Sequence, residues 1–300
     1  MNAVATAETS AVFQSSSRRL PRWIVALLLW LAAAGLFFGR FDRLPGSYTS
    51  EIEFHADTWF RESLTAPWTE SVMIPSRFDQ TLSVTPEVSL VQSHMHWKLP
   101  TGEITYASEG LYGVDRRSRE NVGDYGTVKR EGQFLFAPGV ERKRYALWDP
   151  FYSGPRQCVF LREEESDGLK LYVFSSEARD LLENEAYATL PDVPERFSVN
   201  SRGRGELRVE PVSGVVVDYD DEGTSYFIDA RTMEPAGDFY WWKARYLPET
   251  RARQVRLARE GRLWLQARHL WGPLALLSAG LLLVAVKPRA KSGFLKGDTL

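Results

Sequence analysis

The sequence predicts a mainly β protein of the α+β class: an antiparallel, curved meander sheet with a crossing helix, flanked by N- and C-terminal transmembrane helices. Three observations carry that prediction. Uncharged apolar runs stand near both ends, period-two alternation fills the stretch between them, and helical patterning there is scarce.

Residues 1–22 begin MNAVATAETSAVFQSSS, small and polar, and read as a disordered cytoplasmic tail. The runs Trp23–Gly39 and Leu270–Val286 each cover roughly 25 Å as a helix, at the short end of what spans a bilayer. Arg18, Arg19 and Arg22 precede the first run, and Lys287, Arg289, Lys291 and Lys296 follow the second, so both termini are expected in the cytoplasm. Arg40, Arg43 and six arginines between 251 and 268 oppose that orientation, but long loops translocate largely regardless of charge. A cleaved signal peptide ending near Ala32-Ala33-Ala34 is the alternative for the first run. Apolar character continuing through Leu36, Phe37 and Phe38 favours an uncleaved anchor.

The central domain, 41–248, carries 23 basic against 35 acidic side chains, a net of −12, while the remainder of the chain carries 14 against 4, a net of +10. An acidic domain between basic membrane flanks argues against nucleic acid as a partner, because phosphate neutralisation needs clustered Lys and Arg. Cys158 is the single cysteine, so no intrachain disulfide forms and the thiol is expected to pack as a small apolar group. Together with the lack of an Asn-X-Ser/Thr acceptor, this suits a prokaryotic envelope.

Within the central domain, Ser47–Phe54, Val88–Trp97, Glu103–Val114, Leu169–Ser175, Glu206–Val209 and Val215–Tyr219 alternate or carry β-branched and aromatic residues, and each predicts a strand. Three of the predicted strands end in an apolar residue, an acid and, three residues later, a hydroxyl: Asp115 with Ser118, Glu210 with Ser213, Asp229 with Thr232. That pattern suits a side-chain-bonded turn, hence the meander. Helices are expected over Ala56–Leu64 and Glu177–Ala188, the second crossing one face of the sheet. Residues 249–269 have few breakers and lead directly into the span at 270–286, which predicts a juxtamembrane helical stalk; 287–300 form a second cytoplasmic tail.

Candidate sites are few. Asp218, Asp220, Glu222 and Asp229 approximate the acid spacing of a calcium loop around Gly223, but strand-like flanks favour a solvated hairpin turn with at most a weak cation site. His94 and His96 share one face of a strand, and with no third ligand apparent a plain surface strand is preferred. Glu163-Glu164-Glu165 before Asp167-Gly168 reads as a charged hairpin tip. In Tyr145–Pro150, Trp148 is expected to bury its ring, Asp149 to bond nearby backbone and Pro150 to fix direction. Trp241-Trp242 suits either the membrane surface or the core.

Four stretches in this order, Val114–Ser118, Glu141–Pro150, Asp167–Phe174 and Val209–Val216, resemble the recurrent motifs of the actinobacterial PorA porin family. The structural motif residues are Asp115, Tyr145, Trp148, Asp149, Pro150, Gly168, Glu210 and Gly214. The resemblance covers roughly residues 20–290. It implies an envelope membrane protein with a porin label, and it brings no catalytic residues.

The function expected is that of a membrane-anchored envelope protein in a prokaryotic plasma membrane, whose exterior β domain binds a lipid, glycan or protein partner. A pore-forming component is the alternative, although a β-barrel porin lacks long apolar helices and the two runs here contain no ionisable residue to line a channel. No G-x-S-x-G, H-E-x-x-H or P-loop occurs, so neither an enzyme nor a cofactor is expected. Association of the spans into a homo-oligomer is compatible with the pattern.

Overall fold

A computed structural model describes residues 24, 27, 30, 43–127, 129–149, 154–182 and 196–285. The chain divides into two compact units, one of residues 38–270 and one of residues 1–37 with 271–300. The larger is built on a single antiparallel sheet: β1 (Thr49–Phe60), β2 (Thr69–Val84), β3 (Val88–Lys98), β4 (Ile104–Asp115), β5 (Asn121–Gly126), β6 (Arg144–Asp149), β7 (Gly154–Ser166), β8 (Leu169–Leu182), β9 (Phe197–Val209), β10 (Val216–Asp229) and β11 (Pro235–Tyr246). Helix α1 (Pro248–Ala285) follows.

The spatial order is β5-β4-β3-β2-β1-β11-β10-β9-β8-β7-β6. Two meanders therefore meet where the first strand pairs the last, Phe54 opposite Tyr246. Side chains of one parity point inward along each strand: Ile52 and Phe54, Arg77 and Asp79, Val91 and Ser93, Tyr219 and Asp221, Trp242 and Tyr246. A bulge between Val216 and Asp218 shifts the parity of β10, which sends Val217 to the outer face and Val216 and Tyr219 to the inner one.

The connection from β5 to β6 links the two edges of the sheet. Gln133 bridges Glu120, just before β5, and also Leu147 in β6. Four backbone bonds hold this seam: Asn121 N–H to Gly132 O at 2.9 Å, Phe134 N–H to Arg119 O at 2.7 Å, Gln133 N–H to Ala146 O at 2.8 Å and Trp148 N–H to Gln133 O at 2.8 Å. One residue touching both margins obliges the sheet to curl there, and it satisfies edge groups that would otherwise be open. The curl encloses two apolar clusters, one around Cys158, Phe174, Leu207 and Val209 and one around Leu44, Val91, Tyr112 and Phe134.

The start of α1 is tied to one end of the sheet. Glu53 N–H donates to Thr250 Oγ1 at 3.2 Å, Arg253 Nη2 donates to Glu51 O at 2.5 Å, and Arg251 pairs with Asp167 and Asp218 at 2.6 and 3.1 Å. Val255 and Ala258 pack on Leu169, Leu171 and Val217. Residues 249–269 are helical as the sequence predicts, and their first turns belong to the larger unit.

The three acid-led turns have the bonding their pattern implies. Asp115 accepts from the N–H groups of Arg117 and Ser118, both at 2.8 Å, Glu210 from Ser213 N–H at 2.7 Å, and Asp229 from Arg231 and Thr232 N–H at 2.9 and 3.3 Å. Gly214 closes the Glu210 turn at φ 77°, where a Cβ would stand 2.7 Å from Phe136 O. Asp167-Gly168, at φ 53° and 71°, forms the tip between β7 and β8, the pairing that suits a two-residue hairpin loop.

Several expectations need correction. Ala56–Phe60 lie in β1, because His55-Ala56-Asp57-Thr58-Trp59 alternates across a pleat and pairs on both sides. Glu177–Leu182 continue β8 instead of starting a crossing helix; the rest of that predicted helix lies outside the described residues. Glu163-Glu164-Glu165 run along β7 ahead of the tip. Among the described residues no helix is long and apolar enough to cross a membrane, so the flanking spans are unsupported by the structure. The first apolar run falls almost wholly outside the described residues, and the second, as far as Ala285, falls on α1.

Candidate functional site

The curl of the sheet leaves a partly open cavity of about 400 Å³. Its wall is mostly apolar, with Leu44, Ile52, Phe54, Phe134, Leu207 and Val216 from the sheet and its connections and Leu257 from α1. Phe54 meets Tyr219 and Tyr246 with both ring centroids at 5.2 Å. Charge enters the lining at Arg77, Arg119 and Asp149. Burial pushes the phenols of Tyr48, Tyr219 and Tyr246 up, so all three stay neutral hydrogen-bonding groups across the working pH range.

Beside the cavity lies an ion network that ties β6, β7, β10 and β11 together. Arg156, whose side chain is 2% exposed, donates to Asp149 at 3.2 Å, Asp221 at 2.7 Å, Tyr219 Oη at 2.9 Å and Ser176 O at 3.2 Å. The second oxygen of Asp221 accepts from Trp242 Nε1 at 2.9 Å. The indole has room because residue 223 is glycine: a Cβ there would sit 2.2 Å from the Trp242 ring. Burying three charges is tolerable only with such dense bonding.

A second pair stands on β2. Arg77 Nε donates to Asp79 at 2.9 Å, and the guanidinium lies 4.7 Å from the centroid of Phe134. Burial works against the Arg77 charge, but the Asp79 carboxylate outweighs it and holds the guanidinium above its ordinary value. Cys158, fully buried in the cluster nearby, has its thiol pushed up to about 11, chiefly by burial.

The sequence-predicted site residues are scattered. Asp218, Asp220 and Glu222 lie along one outward face of β10 instead of in a hairpin turn. Each carboxylate has its own arginine: Asp218 with Arg251 at 3.1 Å, Asp220 with Arg208 at 2.7 Å, Glu222 with Arg204 at 2.7 Å. Asp229, at the end of the strand, pairs with Arg196 at 2.5 Å. The strand therefore spreads these acids apart, and no group of three or more ligating side chains converges among the described residues. His94 and His96 face outward on β3, with His94 3.1 Å from Glu109.

In the Tyr145–Pro150 segment, Tyr145 packs edge-on against Phe136 and Phe174 and its hydroxyl accepts from Glu141 N–H at 2.8 Å. Trp148 is half-buried, packs on the cluster of Leu44, Tyr112 and Phe134, and lines the cavity. Asp149 bonds the Arg156 side chain where nearby backbone was expected. Pro150 lies outside the described residues. Trp241 is exposed while Trp242 turns inward to Asp221, so the two adjacent rings split between solvent and interior.

Arg77, Asp79 and Arg156 were not singled out from sequence. A signal for them does exist: Arg156, Cys158 and Phe160 share a strand face, as do Arg77 and Asp79, and an arginine in register with an apolar stripe marks a buried, paired cation.

A search of curated proteins gives no match. Among solved structures, the chain is similar to a DUF1329 family protein from Desulfovibrio piger, with 7% identity, a TM-score of 0.21 and coverage of 72% of this chain and 91% of that one. That likeness is too distant to bear on fold or function. The family described as Porin PorA matches residues 69–287, which include the motif segments from Asp115 to Gly214 and the start of α1. With well over half of its length matched, the chain belongs to the PorA porin family.

Proposed function

We propose that the protein is a cell-envelope protein held in the plasma membrane by residues 23–39 and 270–286, with both termini cytoplasmic, and that its extracytoplasmic β domain binds a ligand of the lipid class. The observation that carries this reading is the cavity of about 400 Å³, mainly apolar, within the curl of the sheet. Its volume lies in the range of small-ligand sites, and its wall offers burial for hydrocarbon more than the rows of polar groups a glycan needs. Membership of a porin family supports the envelope setting. The role proposed is binding without catalysis.

Family membership also favours a second reading, a pore-forming component. A barrel porin needs an apolar outer band, whereas the outer face of β7–β10 carries ion pairs such as Arg162 with Glu206 and Arg208 with Asp220. Under this reading, conduction would have to come from assembled helices.

Full-length protein purified from its membrane and extracted with organic solvent should release lipid at about one molecule per chain by mass spectrometry. Protein free of lipid that gives single-channel steps in planar bilayers would replace the binding role with the pore. For orientation, alkaline phosphatase fused after residue 150 should be active and the fusion after Lys291 inactive.

A further inference from the structure

Arg77 makes the cavity more than an apolar slot. Its side chain is 11% exposed and lines the cavity. Asp79, its carboxylate partner at 2.9 Å, is engaged through Nε, and the guanidinium is packed against Phe134. A guanidinium at the wall of a mainly apolar space large enough for a ligand favours an anionic head group there. The flat fork of a guanidinium suits a planar carboxylate.

Resting on the lipid-binding reading, we propose that the cavity selects an anionic, single-chain amphiphile of the fatty-acid class, with its carboxylate at the Arg77 side chain and its alkyl chain along Leu44, Ile52, Phe54 and Leu257. A second guanidinium, Arg119, lines the same cavity and adds to the positive field there. The carboxylate of the lining, Asp149, is bonded to Arg156 on the network side. A volume of about 400 Å³ is enough to seat one alkyl chain.

The test is ligand chemistry on the unmodified full-length protein. Delipidated chain in a bulky nonionic detergent is titrated at neutral pH with dodecanoic acid, dodecan-1-ol, methyl dodecanoate and dodecylamine, and bound adducts are counted by native mass spectrometry. The acid should bind about tenfold or more tightly than the alcohol and the ester, as one charge-assisted bond implies, and the amine weakest of all. Equal affinity for acid, alcohol and amine overturns the anion assignment while leaving lipid binding in place; no binding of any of them overturns both.

Arg77→Gln should bring the acid down to the affinity of the alcohol and leave the alcohol unchanged. A folded Arg77→Gln variant that keeps the preference for the acid removes Arg77 from the site. If that variant fails to fold, Arg77→Lys, which keeps the charge but loses the fork, should retain only part of the preference, and full retention would count against the assignment.

Discussion

Arg156 is the side chain whose loss should cost this fold most. It is 2% exposed and holds Asp149, Asp221, the Tyr219 hydroxyl and the Ser176 carbonyl at 2.7–3.2 Å. Arg156→Met keeps a similar apolar stem and deletes all four bonds, which leaves two carboxylates inside the sheet, of which Asp221 keeps Trp242 Nε1. Removing one partner of a buried ion network costs about 3–5 kcal/mol, because the remaining charges stay buried without compensation. For a unit of this size that corresponds to a drop in Tm of roughly 6–20 °C. Tryptophan fluorescence of the full-length protein during thermal or urea unfolding reads it, helped by the contact of Trp242 with Asp221. Arg156→Met/Asp149→Asn/Asp221→Asn should recover most of the loss, since it removes the orphaned charges together. A single variant within about 1 kcal/mol of the parent, or a triple variant no better than the single, would refute the assignment of the cost to uncompensated charge.

Other consequences are smaller and equally checkable. Burial acts against the Asp115 carboxylate, but backbone donors from Ser118 and Arg117 outweigh it and hold the group below its ordinary value, so its contribution is present above about pH 4 and lost as pH falls further. Asp115→Ala should therefore cost about 1 kcal/mol near neutrality, the size of a lost cap, and much less near pH 2 by urea unfolding. Gly223→Ala drives a methyl into the Trp242 ring and should cost about 1–3 kcal/mol, with a change in tryptophan emission. Burial raises the Cys158 thiol to about 11, so the folded state favours the thiol over the thiolate and loses that contribution only as pH rises from the ordinary cysteine range toward 11. A thiol reagent at pH 8 should leave the native chain unlabelled and modify it once denatured.

The sequence by itself determined what is local. Alternating side chains over Val88–Trp97 and Leu169–Ser175 dictate strands because a pleat repeats every two residues, and the Asp115, Glu210 and Asp229 turns follow because a short acidic side chain can satisfy the next free N–H groups within three residues. The family was legible in those same turns and in the Tyr145–Asp149 strand. Local pattern misleads at Ala56, where a strand with polar and aromatic residues on both faces reads as the start of a helix, and at Asp218, Asp220 and Glu222, which the extended strand keeps on one face but spaces out to separate arginines. Only the tertiary structure decided the closure of the sheet and the contents of its interior. The seam at Gln133 joins residues from both sheet margins, and Arg156 finds Asp221 at a separation of 65 residues. Partners that distant are chosen by strand order and register, which no local pattern encodes; the cavity beside Arg77 exists because the curl brings both meanders around one space.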